Sequence, residues 1–447
     1  MQITTCEGRI NMKRINEIYK QNPGTERVIQ FGEGGFLRAF IDWMLDKLNK
    51  SGLSDAKSVI VQPIPVGMCE KLMAQDCVYT HILRGVENGK EVVEQTVIGS
   101  VSRCVDPHID LDAFLALAKD ANFRFVVSNT TESGIAYEPE ALVPGKLPKS
   151  FPAKVTLLLL ERFQAGLGGF IFLPCELIDR NGDKLRECVL KYAADWQLGE
   201  DFVRFVKEEN TFCTTLVDRI VTGYPKDEKI DLPYIDEMID TSEYFHLWVI
   251  ETDADIEAEL PFVKVGLNVV YTPDLEPYRT RKVRILNGAH TSTVAKCMLD
   301  GIETVKDCMD DPAASAALKS RVFDEIVPTL TLPEEELKAY AGAVLERFAN
   351  PYIRHYWKSI SLNSVSKWKV RVLPSLTAYR EKFGKLPAGL TASLGYLIKL
   401  YKSGMATDAE DVIAFMQEKS VAEILANEAF WDMDLSFLLD AVEEYAK

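Results

Sequence analysis

The sequence predicts an α/β domain built on a mostly parallel sheet over residues 1–275, followed by an all-α domain over residues 276–447. Three observations carry this. Buried-strand and helix patterns alternate through the first half. A glycine-rich turn sits at the first strand–helix junction. After the segment YTPDLEP, residues 271–277, helical periodicity takes over to the end of the chain.

The elements follow in order. RVIQF, residues 27–31, reads as a short buried strand, then GEGG, then a helix from Phe36 to Lys50 with apolar residues at helical spacing. SVIVQPI, residues 58–64, is a second strand. YTHILRGVE and KEVVEQTVIGSV flank Asn88-Gly89, a strong hairpin signal. Asp110–Ala121 is helical and FRFVVS, residues 123–128, is a buried strand. Phe151–Phe163 is a helix with Pro152 tolerated in its first turn. GFIFLP, residues 169–174, is a strand, and Lys184–Trp196 a helix. Strands alternating with helices imply a parallel sheet covered on both faces. Beyond the boundary, Pro312, Pro328, Pro333, Pro351, Pro374 and Pro387 punctuate the helices. There is no internal repeat and no low-complexity tract.

Composition narrows the function. A net charge of −16 excludes a nucleic-acid partner, which needs a basic face. No apolar run approaches the roughly 20 residues that span a bilayer, so no membrane role is expected. The start of the chain lacks a signal-peptide core, and Met12 is an alternative start. The nine cysteines are scattered, odd in number and free of C-x-x-C, which predicts reduced thiols in a cytoplasmic protein and no structural metal.

Gly32-x-Gly34 at the strand–helix junction allows a tight turn and close approach of backbone N–H groups to a pyrophosphate at a helix N-terminus. The fingerprint is incomplete. Leu37 stands at the third glycine position, and Gln62-Pro63-Ile64-Pro65 replaces the acid expected at the end of the second strand. NAD against NADP therefore stays open on physical grounds. Ser128-Asn129-Thr130-Thr131-Glu132 follows a buried strand, where ligands of open α/β sheets bind.

The segment from Arg281 to His290 concentrates the chemistry. On an α-helix at about 100° per residue, His290 lies about 80° and Asn287 about 140° from Lys282, so an amine, an amide and an imidazole share one broad face. Reducing a carbonyl by hydride needs a donor for the growing negative charge and an acid to protonate it. Arg281 and Arg284 are placed to lower the lysine pKa. Gly288 costs helix stability, which a close approach of ligand or backbone would explain.

On these residues the chain resembles the polyol-specific long-chain dehydrogenases, the mannitol dehydrogenase family. Lys282, Asn287 and His290 match its K-x-x-x-x-N-x-x-H motif position for position. The segments RVIQFGEGGFLRAFIDWMLDKLN, FRFVVSNTTESGI, PCELIDRNGD, LVDRIVTGYP and KVRILNGAHT look like its keto-sugar-acid branch. The likeness runs from about residue 23 to the C-terminal region. It implies a Rossmann-type first domain, a helical second domain, an active site in the cleft between them, and no metal. Lys282 would be the acid/base, Asn287 would polarise the carbonyl, and His290 would orient substrate hydroxyls. NAD would rest on Phe31, Gly32, Gly34, Gly35, Phe36, Leu37 and Arg38, with Asn129, Thr131 and Glu132 beside it. Lys367, Glu176 and Asp218 would meet the substrate.

Two departures separate the chain from mannitol-type members. Leu177 stands where they place an asparagine, and Ser359 where they place an arginine paired with the lysine matched by Lys367. The activity implied is reversible NADH-linked reduction of D-tagaturonate to D-altronate in galacturonate breakdown. Alternatives are fructuronate reduction, a mannitol-type polyol dehydrogenase, and a non-catalytic NADH-binding regulator. Oligomeric state is open, with a monomer favoured by resemblance.

Overall fold

A computed structural model describes residues 12–87, 89–131, 133–226 and 228–447. Asn88 of the expected hairpin turn, Glu132 of the expected cofactor loop, Cys6 and the choice between Met1 and Met12 as the start lie outside the described residues.

The chain divides into two compact units. The first runs to Arg84 and resumes over Val92–Leu275; the second comprises Gly85–Glu91 and Glu276–Lys447. The strands, in chain order, are β1 (Thr25–Phe31), β2 (Ala56–Val61), β3 (Tyr79–Glu87), β4 (Lys90–Ile98), β5 (Val101–Val105), β6 (Phe125–Ser128), β7 (Ile171–Pro174), β8 (Thr211–Phe212), β9 (Thr214–Asp218), β10 (Val221–Gly223), β11 (Asp240–Ser242), β12 (Leu247–Glu251) and β13 (Val269–Thr272).

Six strands form the main sheet in the order β5-β2-β1-β6-β7-β8, parallel at every pairing. This is the doubly wound order in which the chain reverses direction beside β1. The sheet is buried on both faces because its strands are apolar at successive positions. Val28, Ile60, Phe125 and Leu173 pack in one core, and Ile29, Val59, Val126 and Phe172 in the other. The covering helices start on recognisable caps. Asp110 accepts from the Ala113 N–H before Leu111–Lys119, and Ser150 from the Ala153 N–H before Phe151–Gln164, with Pro152 in the first turn.

The run expected as one strand to Val101 divides at Gly99-Ser100. A Cβ on Gly99 would lie 2.9 Å from the Asn22 nitrogen, so the chain passes too close there for any other residue, and Val101–Val105 joins the parallel sheet instead. Residues 211–272 hold strands that the periodicity did not predict. They are two to five residues long: β8 edges the main sheet, and the others pair in a four-stranded sheet with β3 and β4 (β10-β11-β3-β4) and a three-stranded sheet (β13-β12-β9).

In the second unit every named element from Glu276 onward is helical. The hairpin tip belongs to this unit because the Gly89 N–H donates to Glu346 Oε1 at 3.1 Å and the Tyr352 hydroxyl donates to Glu91. Among the described residues no helix is long and apolar enough to cross a membrane.

Candidate active site

In the first unit the glycine turn is tied to three strand ends. The Gly32 N–H donates to the Val61 carbonyl at 3.1 Å, and the Asn129 N–H to the Phe31 carbonyl at 3.2 Å. Gly32 has φ +122°, and a Cβ there would meet the Asn129 carbonyl oxygen at 3.2 Å. Gly34 is the N-cap of the helix that begins at Gly35, with open space where a side chain would project. The turn thus leaves bare backbone at a helix N-terminus, at the sheet's reversal point.

The neighbouring side chains divide by role. Phe31 and Leu37 are buried in the cores, so only their backbone is available. Gly35 sits against Asp240, and Phe36 stacks on Phe40. Arg38 is buried: it donates to the Glu33 and Met238 carbonyls, lies 3.7 Å from Asp240 and covers the Tyr79 ring. Its guanidinium braces the turn from inside, so the expected cofactor contact does not come from its charge.

The loop after β6 hangs on Glu176, whose side chain is also turned inward. This carboxylate, 2% exposed, accepts from Ser128 Oγ (3.1 Å), the Thr130 N–H (3.0 Å) and Thr130 Oγ1 (2.9 Å). Burial raises its pKa. It holds the loop in place. Asn129 Nδ2 donates to the Cys175 carbonyl at 2.9 Å, and Thr131 is exposed with φ +73°. Leu177 is 59% exposed. Asp218 is buried at the end of β9, opposite Leu247 of β12.

Beyond β2, Gln62 donates to Asp106 Oδ2 at 3.0 Å and accepts from the Cys69 N–H at 3.3 Å. A cavity of about 410 Å³ opens past the ends of β2 and β5, lined by Pro63, Ile64, Pro65, His108 and Lys149 among others. The missing acid at this strand end is legible in the sequence, and the cavity is not. The signal was the pair of proline-bearing strand ends, Gln62–Pro65 and Asp106-Pro107.

In the second unit Lys282–Asn287 is a π-helix, continuous with the α-helix Gly288–Leu299. The α-helical estimate is corrected by this. In a π-helix the bonds run i→i+5, so Lys282 and Asn287 stand one turn apart on the same side rather than about 140° around. Both are half-buried. Gly288 faces backbone: a Cβ would meet the Arg371 carbonyl oxygen at 3.1 Å.

His290 is 9% exposed, stacked on Phe348 at 4.2 Å and edge-on to His355 at 5.0 Å. Its Nε2 is buried with no hydrogen-bond partner among the described residues. Burial, then His355, Arg347 and Arg371, hold its pKa well below the ordinary histidine value, so the ring is neutral. A neutral imidazole with an unsatisfied buried nitrogen is equipped to bind a hydroxyl.

Of the two arginines expected to act on Lys282, Arg281 turns away. It pairs with Glu336 at 2.5 Å and covers the Tyr340 ring. Arg284 donates to Ser375 Oγ at 3.2 Å, and burial alone lowers its pKa. Lys367 is half-buried and donates to the Ile360 carbonyl at 3.0 Å, with its pKa lowered by burial and by Arg371. Ser359 is exposed. Among the described residues no group of three or more His, Cys, Asp or Glu could hold a metal ion.

Two family models match the chain: the mannitol dehydrogenase Rossmann domain over residues 26–263, and the mannitol dehydrogenase C-terminal domain over residues 274–447. The altronate oxidoreductase of Klebsiella pneumoniae is 43% identical, covering 97% of this chain and 96% of that one. That of Yersinia enterocolitica is 44% identical (92% and 91%), and that of Pectobacterium carotovorum 45% (97% and 88%). Among solved structures, a substrate-free D-sorbitol dehydrogenase matches with TM-score 0.80 and 21% identity over 97% of this chain and 99% of that one. A Pseudomonas fluorescens mannitol 2-dehydrogenase, in ternary complex with NAD and D-mannitol, matches with TM-score 0.67 and 21% identity (96% and 92%). At that identity the two structures speak for the fold.

Proposed function

The chain belongs to the mannitol dehydrogenase family, and on that footing we propose that it catalyses the reversible NADH-linked reduction of D-tagaturonate to D-altronate. The observation that carries the chemistry is the π-helical turn that puts Lys282 and Asn287 on one side, one helical step from the unsatisfied nitrogen of His290. Support for the substrate comes from relatives of 43–45% identity over nearly the whole chain, each an altronate oxidoreductase.

The glycine turn, the loop held by Glu176 and the cavity past β2 and β5 fit a dinucleotide laid across the sheet's reversal point, with the adenosine toward the cavity. Bound NADH supplies the hydride. The chain's own groups manage the oxygen. The Asn287 amide donates a hydrogen bond to the carbonyl, which strengthens as the oxygen becomes an alkoxide. The Lys282 ammonium then gives that oxygen its proton, and in altronate oxidation the neutral amine takes it back. Arg284 lies on the same helical segment, without an anionic partner among the described residues. His290, held neutral, fixes a neighbouring hydroxyl and so selects the carbon presented to hydride. All eight described cysteines are free thiols, in keeping with a cytoplasmic enzyme.

The test is a panel of keto substrates with the purified full-length chain and NADH. D-tagaturonate is turned over best. Preference for D-fructuronate would move the chain to the epimeric reaction, and equal activity on D-fructose to a polyol dehydrogenase.

A further inference from the structure

The second unit holds positive charge that no described residue neutralises. Arg371 ends the helix Ser364–Arg371, is half-buried, and has no ion pair or hydrogen bond to its guanidinium among the described residues. Burial alone lowers its pKa, and the same is true of Arg284. Among the described residues neither arginine faces a carboxylate, whereas Arg281, on the same stretch of helix as Arg284, is paired with Glu336. Withdrawing a guanidinium from water without an anion is costly, and such groups are ordinarily paired.

Arg284 lies on the reactive helix, and Arg371 packs against it. The Arg371 carbonyl packs 3.1 Å from the Gly288 Cβ position, which fixes that helix end against the segment carrying Lys282 and Asn287. The Arg371 charge acts on both His290 and Lys367. Arg284 Nη1 reaches Ser375 Oγ, one turn beyond Arg371. Lys367, one turn before Arg371, already spends a donor on the Ile360 carbonyl.

We propose that Arg371, assisted by Arg284, is the anchor for the substrate's carboxylate, with Lys367 a secondary contact. The assignment rests on the keto-sugar-acid reading. It explains how a member with Ser359 in place of an arginine holds an acid rather than a neutral polyol. A planar guanidinium with a free fork takes a carboxylate through two parallel hydrogen bonds, which an amine tied to a backbone carbonyl cannot do. Seated there, the carboxylate fixes the far end of the carbon chain while Lys282, Asn287 and His290 handle the carbonyl end.

The experiment compares wild type with Arg371→Gln, Arg371→Lys, Arg284→Gln and Lys367→Gln in the full chain. Three quantities are read: KM and kcat for D-tagaturonate, the NADH dissociation constant, and thermal stabilisation by D-altronate against the neutral polyol altritol. Loss of a charge-assisted contact predicts that Arg371→Gln raises KM about 10- to 100-fold. The NADH constant holds, and stabilisation by altronate falls to the level given by altritol. Arg371→Lys recovers part of the loss, and Lys367→Gln costs less than Arg371→Gln. An unchanged KM and undiminished altronate stabilisation in Arg371→Gln overturn the proposal, as does a larger effect from Lys367→Gln. Should Arg371→Gln fail to fold, Arg284→Gln decides by the same readouts, with a rise in KM supporting the anchor and no rise refuting it. If wild type turns over no keto sugar acid, the functional reading falls. The altronate-against-altritol comparison between wild type and Arg371→Gln then decides the anion site by itself.

Discussion

Gly32 and Gly34 lie two residues apart in the same turn, yet they predict different outcomes for the same substitution. Gly32 holds φ +122°, a conformation nearly closed to residues with a Cβ, and an added methyl meets the Asn129 carbonyl oxygen at 3.2 Å and Leu37 Cδ1 at 3.4 Å. Backbone strain of this kind costs about 1–3 kcal/mol. At about 2–4 °C per kcal/mol for a unit of this size, Gly32→Ala lowers the first unit's melting temperature by about 2–12 °C. Gly34 has φ −64° and ψ 165°, which any residue adopts, and nothing lies within 4 Å of its Cβ position. Gly34→Ala therefore leaves stability within about 0.5 kcal/mol. It weakens NADH binding, because its methyl fills the space through which a pyrophosphate approaches the backbone. Differential scanning calorimetry and NADH fluorescence titration on both variants read the two effects. Wild-type stability in Gly32→Ala refutes the strain argument, and wild-type NADH affinity in Gly34→Ala refutes the turn as the cofactor site.

Asp42 is fully buried, accepts from Ser58 and Gln30, and has a pKa pushed up to about 7 by burial. The folded state therefore holds its proton more tightly than the unfolded chain, whose value is near 4. Its contribution to stability falls as pH rises from about 4 to 7 and is flat above that. Asp42→Asn should gain stability relative to wild type across that window, by about 2–4 kcal/mol at pH 8; a difference that does not change with pH in denaturant melts contradicts this. Glu176→Ala strands the Thr130 N–H and should cost about 1–3 kcal/mol together with NADH affinity. Loss of stability with unchanged affinity would separate the loop from the cofactor. Gly288→Ala gains about 1 kcal/mol of helix propensity but pushes on the Arg371 carbonyl at 3.1 Å. Stability should stay within about 1 kcal/mol while KM for the keto acid rises, and an unchanged KM would dissociate this contact from substrate binding.

The sheet was legible because its strands are apolar at consecutive positions, as Val28-Ile29 and Val59-Ile60-Val61 are, and only a sheet covered on both faces tolerates that. The glycine turn was legible from Gly32 and Gly34 alone. The strands between Thr211 and Thr272 were not, because segments as short as Thr211–Phe212 are set by their partners more than by their own pattern. The trio Lys282, Asn287 and His290 could be read as a set but not as a geometry. Nothing in KVRILN distinguishes a π-turn from an α-turn, since the difference lies in which carbonyl each N–H finds. Side-chain direction was the other hidden variable. Arg38 and Glu176 are charged residues at positions where a ligand contact was expected, and Arg281 one expected to act on Lys282; all three turn inward to brace the backbone or pair with a neighbour. Arg371 escaped notice for the opposite reason: its significance is the absence of a partner among the described residues, which only packing reveals.

Lys282 carries the proton in the proposed reaction, and its alanine variant tests that role directly. The measurement pairs steady-state reduction of D-tagaturonate with the NADH dissociation constant of the same preparation. Removing a general acid should slow turnover by about 10²–10⁴-fold while NADH binds as it does to wild type. Turnover within a fewfold of wild type would show that the proton reaches the alkoxide from another group, and the chemistry assigned to the π-helical turn would be wrong.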